Sequence, residues 1–316
     1  MTRYEPIPYF SEAQLSDLGI TTREVVDSIE SIISSVEKRT AWSAPKAVIL
    51  PEDGRYMMAA LAATDNPPLL AVKTVVLNPR NPEHGLPQIN GLVTMLDSRT
   101  GLPVALLDGN WITAVRTAGL SATAAKYMAR KDASVAAFIG CGVQAKSHLQ
   151  AFSDLFPLKG IRLFGRGQAN IDRLCEDAAK RSLSCAVYHS AEEAVRGADL
   201  VVSTVTYAAN LVPFLDANWL KPGSFSAIVD LAVPWKKESF AALDQITIDD
   251  LEQEAALPNK LVPSAFVTGD LSGLVRGRFV GRKRDSDRNA FIFRGHAMGD
   301  LALSALAFQK ATKRII

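Results

Sequence analysis

The stretch SVAAFIGCGVQAKSHLQAF, Ser134 to Phe152, constrains the fold more than any other part of the chain. An apolar run ends at Gly140, G-C-G-V-Q-A follows, and Ala145, Leu149, Phe152 and Phe156 then recur at i, i+4, i+7 and i+11. That pattern reads as a strand, a tight turn and an amphipathic helix. A glycine pattern set between a strand and the start of a helix has the layout of a dinucleotide site. Gly140 allows the sharp turn, and Gly142 lets the backbone approach a pyrophosphate facing the N–H groups of the helix N-terminus. Ala145 takes the third position, where a small side chain permits close helix–strand packing.

Downstream the chain alternates. Strands are expected at 160–165, 184–188, 199–204, 224–231 and 245–249, with helices at 168–180 and 191–196 between them, which argues for a parallel, doubly wound α/β sheet. Upstream it reads differently. Helices are expected after Ser11 and after Thr21 or Thr22, each a plausible N-cap. Short strands then follow at 46–50, 56–60, 69–77, 91–97 and 103–108, spaced as in an antiparallel sheet or partial barrel. A long alanine-rich helix from Trp111 leads into the glycine turn, and a last helix spans 297–313.

An acid that hydrogen-bonds the adenosine ribose normally ends the second strand, roughly 20 residues past the glycines. Here the position holds Gly165 and then Arg166. A guanidinium can pair with a 2′-phosphate, which favours NADP over NAD, the alternative being an ordinary surface arginine.

A net charge of +2 with 22% charged residues gives no electrostatic bias toward nucleic acid or membrane, and neither is expected as a partner. The basic run from Arg276 to Arg288 is broken by acids and reads as a solvated loop. The four histidines lack ligand spacing, so no metal site is expected. Three cysteines make no even framework, and no apolar stretch approaches about 18 residues. A soluble protein of a reducing cytoplasm is expected.

Several segments together resemble the ornithine cyclodeaminase/μ-crystallin family: PKAVIL (45–50), VKTVVLNPRNP (72–82), LDGNWITAVRTAGLSATAA (107–125), IGCGVQA (139–145), IDDLEQ (248–253) and GHAMGDLALSAL (295–306). The resemblance spans nearly the whole chain. It implies a Rossmann-type domain over 114–295 and an N-terminal α+β substrate-binding and dimerisation domain over 1–113, completed by residues 296–316. It further implies a homodimer acting on a small amino or imino acid with a nicotinamide cofactor.

Arg116 is the expected carboxylate clamp, because its fork can make two hydrogen bonds. Lys46 stands where the family usually has a second carboxylate-binding arginine, a departure that removes a bidentate contact. Lys73 lies in the apolar run LLAVKTVVL. Alone it would read as an edge-strand charge or as a desolvated base, and the resemblance implies the catalytic lysine, also contacting substrate. Asp108 reads either as an acid that supports the site from behind or as a turn cap. Asp230 corresponds loosely to an aspartate that in the cyclodeaminases holds the substrate's side-chain amine. Here it lies four residues before Pro234, with Trp235 in place of glycine, and the resemblance implies a catalytic role for it. The expected cofactor contacts are Thr117, Gly140, Gly142, Val143, Gln144, Ala145, Arg166, Thr204, Val205, Thr206 and Gly295.

Three functions follow from these residues. The first is reduction of a ketimine carboxylate to an amino acid, or the reverse. The second is conversion of ornithine to proline and ammonia with bound NAD. The third is NADPH-dependent binding of a small ligand.

Overall fold

A computed structural model describes residues 6–206 and 210–315, with side chains to residue 313. It divides into two compact units, Met1–Arg116 with Ala297–Ile316, and Thr117–His296.

In the second unit eight strands form one sheet, all pairs parallel. In chain order they are Val135–Ile139, Gly160–Phe164, Ser184–Val187, Leu200–Ser203, Phe225–Ile228, Gln245–Ile248, Val267–Asp270 and Asn289–Ile292. Their spatial order is third, second, first, fourth, fifth, eighth, sixth, seventh. The first five follow the order of a dinucleotide-binding sheet, whose direction of winding reverses between the first and fourth strands. Helix Val143–Leu155 follows the first strand and buries Ala145, Leu149 and Phe152.

Two strands here, Val267–Asp270 and Asn289–Ile292, lie outside the expected set. The expected strand 224–231 stops at Ile228, because Leu231 and Ala232 adopt left-handed backbone with φ of 57° each. The basic run is not merely solvated. Arg282 donates to the carbonyls of Met128, Gly223 and Ser224, and Arg284 pairs with Asp287 and Asp244. Cys175 and Cys185 form a disulfide with Cα atoms 5.6 Å apart, although three cysteines make no even framework.

In the first unit the sheet is ordered Tyr9–Phe10, Pro103–Asp108, Ile89–Asp97, Pro68–Leu77, Tyr56–Asp65, Ala41–Ser43, with Ala47–Ile49 also paired to Tyr56–Asp65. It is antiparallel apart from the Tyr9–Phe10 pairing. Along Pro68–Leu77 the residues Leu69, Ala71, Lys73 and Val75 are buried while Thr74 and Val76 are exposed, the two-residue period of a half-covered sheet. Helices Thr22–Glu37 and Ala297–Ile315 pack together in this unit, the former burying Val25, Val26, Ile29, Ile32 and Ile33. Thr21 and Glu24 cap it reciprocally. Among the described residues, no helix is long and apolar enough to cross a membrane.

Candidate functional site

The alternation that buries Ala71 and Val75 also buries Lys73, which is 1% exposed. A buried ammonium needs a counter-charge. Asp300, in the first turn of helix Ala297–Ile315, supplies it, accepting a hydrogen bond from Lys73 Nζ on Oδ1 at 2.6 Å. The same oxygen lies 2.9 Å from Arg116 Nε. Arg116 is carried by helix Gly109–Met128, whose start the D-G of the sequence motif fixes. Asp108 caps it, accepting from the Trp111 N–H at 2.8 Å, as its sequence position suggested. A side chain at position 109 would collide with the backbone of Gly91 and Leu92. Seven residues, about two turns, then bring Arg116 to Asp300.

Lys46 belongs to the same group. Ala47 pairs with Ala59, and Ala60 pairs with Lys73, so the register continues through Lys46, Ala60 and Lys73 in one row. Its charge bears on both Lys73 and Asp300. The charges of three cations thus bear on one carboxylate, a net positive cluster suited to an anion.

Burial, with the Arg116 charge adding to it, lowers the Lys73 ammonium to about 8, against the opposing pull of Asp300. Burial opposes the charge of Asp300, but Arg116 and Lys73 outweigh it and hold that carboxyl below the usual carboxylate value. Lys73 is therefore charged at neutral pH yet close to releasing its proton. Arg116 Nη1 is buried and finds no hydrogen-bond acceptor among the described residues. Buried donors are normally satisfied, and a guanidinium donor left without an acceptor can take a carboxylate. Sequence reasoning missed Asp300, although an acid opening an otherwise apolar helix was the available signal.

In the Thr117–His296 unit the glycine turn meets the end of the fourth strand at the winding reversal. Gly140 has φ of 92°, and a Cβ there would lie 2.7 Å from the Thr204 carbonyl oxygen, so only glycine lets the ends of the first and fourth strands touch. Thr204 Oγ1 donates to the Gly140 carbonyl at 3.1 Å. Gly142 would meet nothing within 4 Å if it carried a Cβ. The first helical bond runs from Lys146 N to the Gly142 carbonyl, and no side chain caps the helix. No side chain serves the N–H groups of this first turn, and Val143 at its start is exposed, an arrangement that fits a pyrophosphate.

Behind them, His148 Nδ1 lies 2.7 Å from the Gln144 carbonyl and Nε2 lies 2.9 Å from Ser121 Oγ. Burial holds this imidazole at about 4, hence neutral, so Nδ1 carries the proton and Ser121 donates to Nε2. Cys141, inside the turn, is pushed up to about 11 by burial and stays a thiol.

Arg166 is exposed just past the second strand and makes no hydrogen bond or ion pair with the described residues. Val205 N–H donates to Asp230 Oδ2, while Gly295 takes a left-handed φ of 95°. No side-chain hydrogen bond among the described residues ties Thr117 or Thr206 to the cradle.

A parallel sheet of this order, with a glycine turn at its winding reversal, defines the Rossmann class of dinucleotide-binding proteins. The chain belongs to the ornithine cyclodeaminase/mu-crystallin family, whose model matches residues 13–314. It is 33% identical to an uncharacterized cyclodeaminase of Sinorhizobium fredii over 74% of this chain and 74% of that one. It is 31% identical to the ketimine reductase mu-crystallin of Rattus norvegicus, over 70% of this chain and 69% of the relative. An archaeal alanine dehydrogenase dimer with bound NAD superposes with a TM-score of 0.86 at 25% identity, covering 98% of this chain and 97% of the other.

Proposed function

We propose that the protein is an NADPH-dependent reductase of small α-imino acids, running in reverse as an amino acid dehydrogenase. The observation that carries this reading is the buried Lys73–Asp300–Arg116 cluster, with a lysine near its titration point beside an unfilled guanidinium donor. The nicotinamide nucleotide, when bound, supplies the hydride. Arg116, helped by the charge of Lys46, holds the substrate carboxylate. Lys73 delivers a proton to the substrate nitrogen in the reductive direction and recovers it in the oxidative one. Asp300 keeps Lys73 charged and aimed. Thr117, Thr206 and Gly295 remain proposed cofactor contacts by resemblance, alongside the turn residues and Thr204.

A cyclodeaminase reading is the alternative, favoured by the name of the Sinorhizobium relative. It needs an acid free to hold a side-chain amine. Asp230, the residue expected there, has both oxygens engaged by Ser203 and Val205. The test is an assay of NADPH oxidation with pyrroline-2-carboxylate, piperideine-2-carboxylate and pyruvate plus amines. Turnover with an imine supports the reading, whereas ammonia release from ornithine without added reductant overturns it.

Preference for NADP is proposed on Arg166. Arg166→Ala is expected to weaken NADPH binding roughly tenfold or more while leaving NADH within about twofold, as charge-assisted hydrogen bonds to phosphate would. Equal changes for both cofactors in a fluorescence titration refute the assignment.

A homodimer is proposed through the outer face of the first unit's sheet. Tyr9, Trp42, Ile49, Leu61 and Val76 share that face by register and are exposed by 39% or more. Such a stripe is unusual on a monomer, and the alanine dehydrogenase neighbour is a dimer. Leu61→Arg with Val76→Glu should shift the mass measured by light scattering from twice that of the chain to once. An unchanged mass would place the contact elsewhere.

A further inference from the structure

Asp230 lies two residues beyond strand Phe225–Ile228, beside the end of strand Leu200–Ser203. Its Oδ1 accepts from Ser203 Oγ at 3.1 Å, and its Oδ2 accepts from the Val205 N–H at 3.1 Å. Ser203 is wholly buried and in turn accepts from Trp235 Nε1 at 2.9 Å.

The chemistry of these groups fixes every hydrogen. An indole N–H can only donate, so its approach to Ser203 Oγ leaves the serine hydrogen pointing at Asp230. A backbone N–H also only donates. Both oxygens of Asp230 therefore act as acceptors, an arrangement that favours the carboxylate over the acid.

The turn that carries Asp230 is strained. Leu231 and Ala232 both have φ of 57°, a left-handed region that side-chain-bearing residues rarely adopt. Such a conformation persists only where surrounding bonds hold it. Here the Val233 N–H donates to the Asp230 carbonyl, and the Phe214 and Leu215 N–H groups donate to the Pro234 carbonyl. The segment around Asp230 thus grips the chain after the fourth strand twice, at Val205 and at Phe214–Leu215. Thr204, next to Val205, is the residue that closes on Gly140.

We propose that Asp230 is a positioning residue that, through Ser203 and Val205, fixes the Thr204–Thr206 segment against the glycine turn for the nicotinamide nucleotide, and that it does not meet the substrate. This rests on the dinucleotide reading of the Gly140 turn. Trp235, where the family resemblance leads one to expect glycine, is the outer member of the clamp, because its N–H dictates which way the serine points.

Desolvation pushes the Asp230 carboxyl up to about 7, and the groups bearing on it, Ser203, Val205, Ala232 and its own backbone, are uncharged. The nearest cation along the segment, Lys236, is paired with Asp216. The clamp is therefore complete above that pH and weakens as pH falls below it.

The test is direct titration of the full-length protein with NADPH and with NADH, followed by tryptophan or cofactor fluorescence between pH 6 and 8.5. Ser203→Ala, Trp235→Phe and Asp230→Asn should each raise the dissociation constant of both cofactors roughly tenfold at pH 8, as loss of a hydrogen bond to a charged group does. The wild type should lose affinity as pH drops through about 7, in a limb absent from Asp230→Asn. In turnover the loss should appear in KM for NADPH, with KM for the imino acid unmoved. Unchanged cofactor binding in the variants, or a fall of a hundredfold or more in kcat at saturating cofactor for Asp230→Asn, overturns the proposal and returns Asp230 to the substrate. Should Asp230→Asn not fold, Trp235→Phe, which keeps the bulk and loses only the donor, decides the matter alone. A wild type that binds neither cofactor overturns the dinucleotide reading itself, and is recognised by that.

Discussion

Lys73→Met is expected to lower kcat by about 10²- to 10⁴-fold, the usual contribution of a positioned acid or base, while cofactor binding survives. Methionine is close in length and apolar, so it suits a site that is 1% exposed and flanked by Ala71, Ala60 and Val93. The pH profile supplies a second reading. In the reductive direction Lys73 must start as the ammonium, and its proton is lost near 8, so kcat/KM should fall as pH rises through that value. The limb should vanish in the variant. Near-normal kcat in Lys73→Met, or a limb that persists, would show that the proton comes from elsewhere.

Asp300→Asn should destabilise the protein by about 3–5 kcal/mol near neutral pH, because removing one partner leaves the buried charges of Lys73 and Arg116 uncompensated. The loss has a sign in pH. Burial already disfavours the Lys73 ammonium, and without Asp300 its proton leaves more readily, so the deficit should shrink as pH rises toward 9. Combining Asp300→Asn with Lys73→Met should recover part of the loss, since the two residues share one interaction. Urea unfolding of the four proteins at pH 7 and pH 9 measures all of this. A deficit below about 1 kcal/mol would mean that solvent screens the cluster as it screens surface pairs.

The parts of this architecture that sequence disclosed are those written locally. The glycine turn was legible because Gly140, Gly142 and Ala145 do their work within one strand, turn and helix, and Asp108 was legible as a cap because its partner is three residues away. Strand Pro103–Asp108 was found to its last residue, since alternation and turn residues mark both ends. Strand Asn289–Ile292 was not found. It is four residues long, opens on a polar residue behind a basic loop, and owes its place to partners at Phe225–Ile228 and Gln245–Ile248.

The candidate site divides along the same line. Arg116 and Lys73 stood out, the one in a dense motif and the other as a charge in an apolar run. Asp300 did not, because its partners are 227 and 184 positions away and an acid in a first helical turn already has an ordinary explanation. The roles of Ser203 and Trp235 beside Asp230 were equally hidden, as neither residue type signals anything until the fourth and fifth strands are paired. The disulfide joins residues of helix Gln168–Ala179 and strand Ser184–Val187, an adjacency that a count of three cysteines could not reveal.

The proposed activity is a net hydride transfer between nicotinamide and the α-carbon of an imino acid. Its most direct measurement uses NADPH deuterated at C4, in each epimer, with piperideine-2-carboxylate and the other imines, followed by mass spectrometry of the amino acid formed. One deuterium is expected at the product α-carbon from one epimer only, with one NADP formed per amino acid. Unlabelled product formed from ornithine with release of ammonia and no net oxidation of the nucleotide would contradict it.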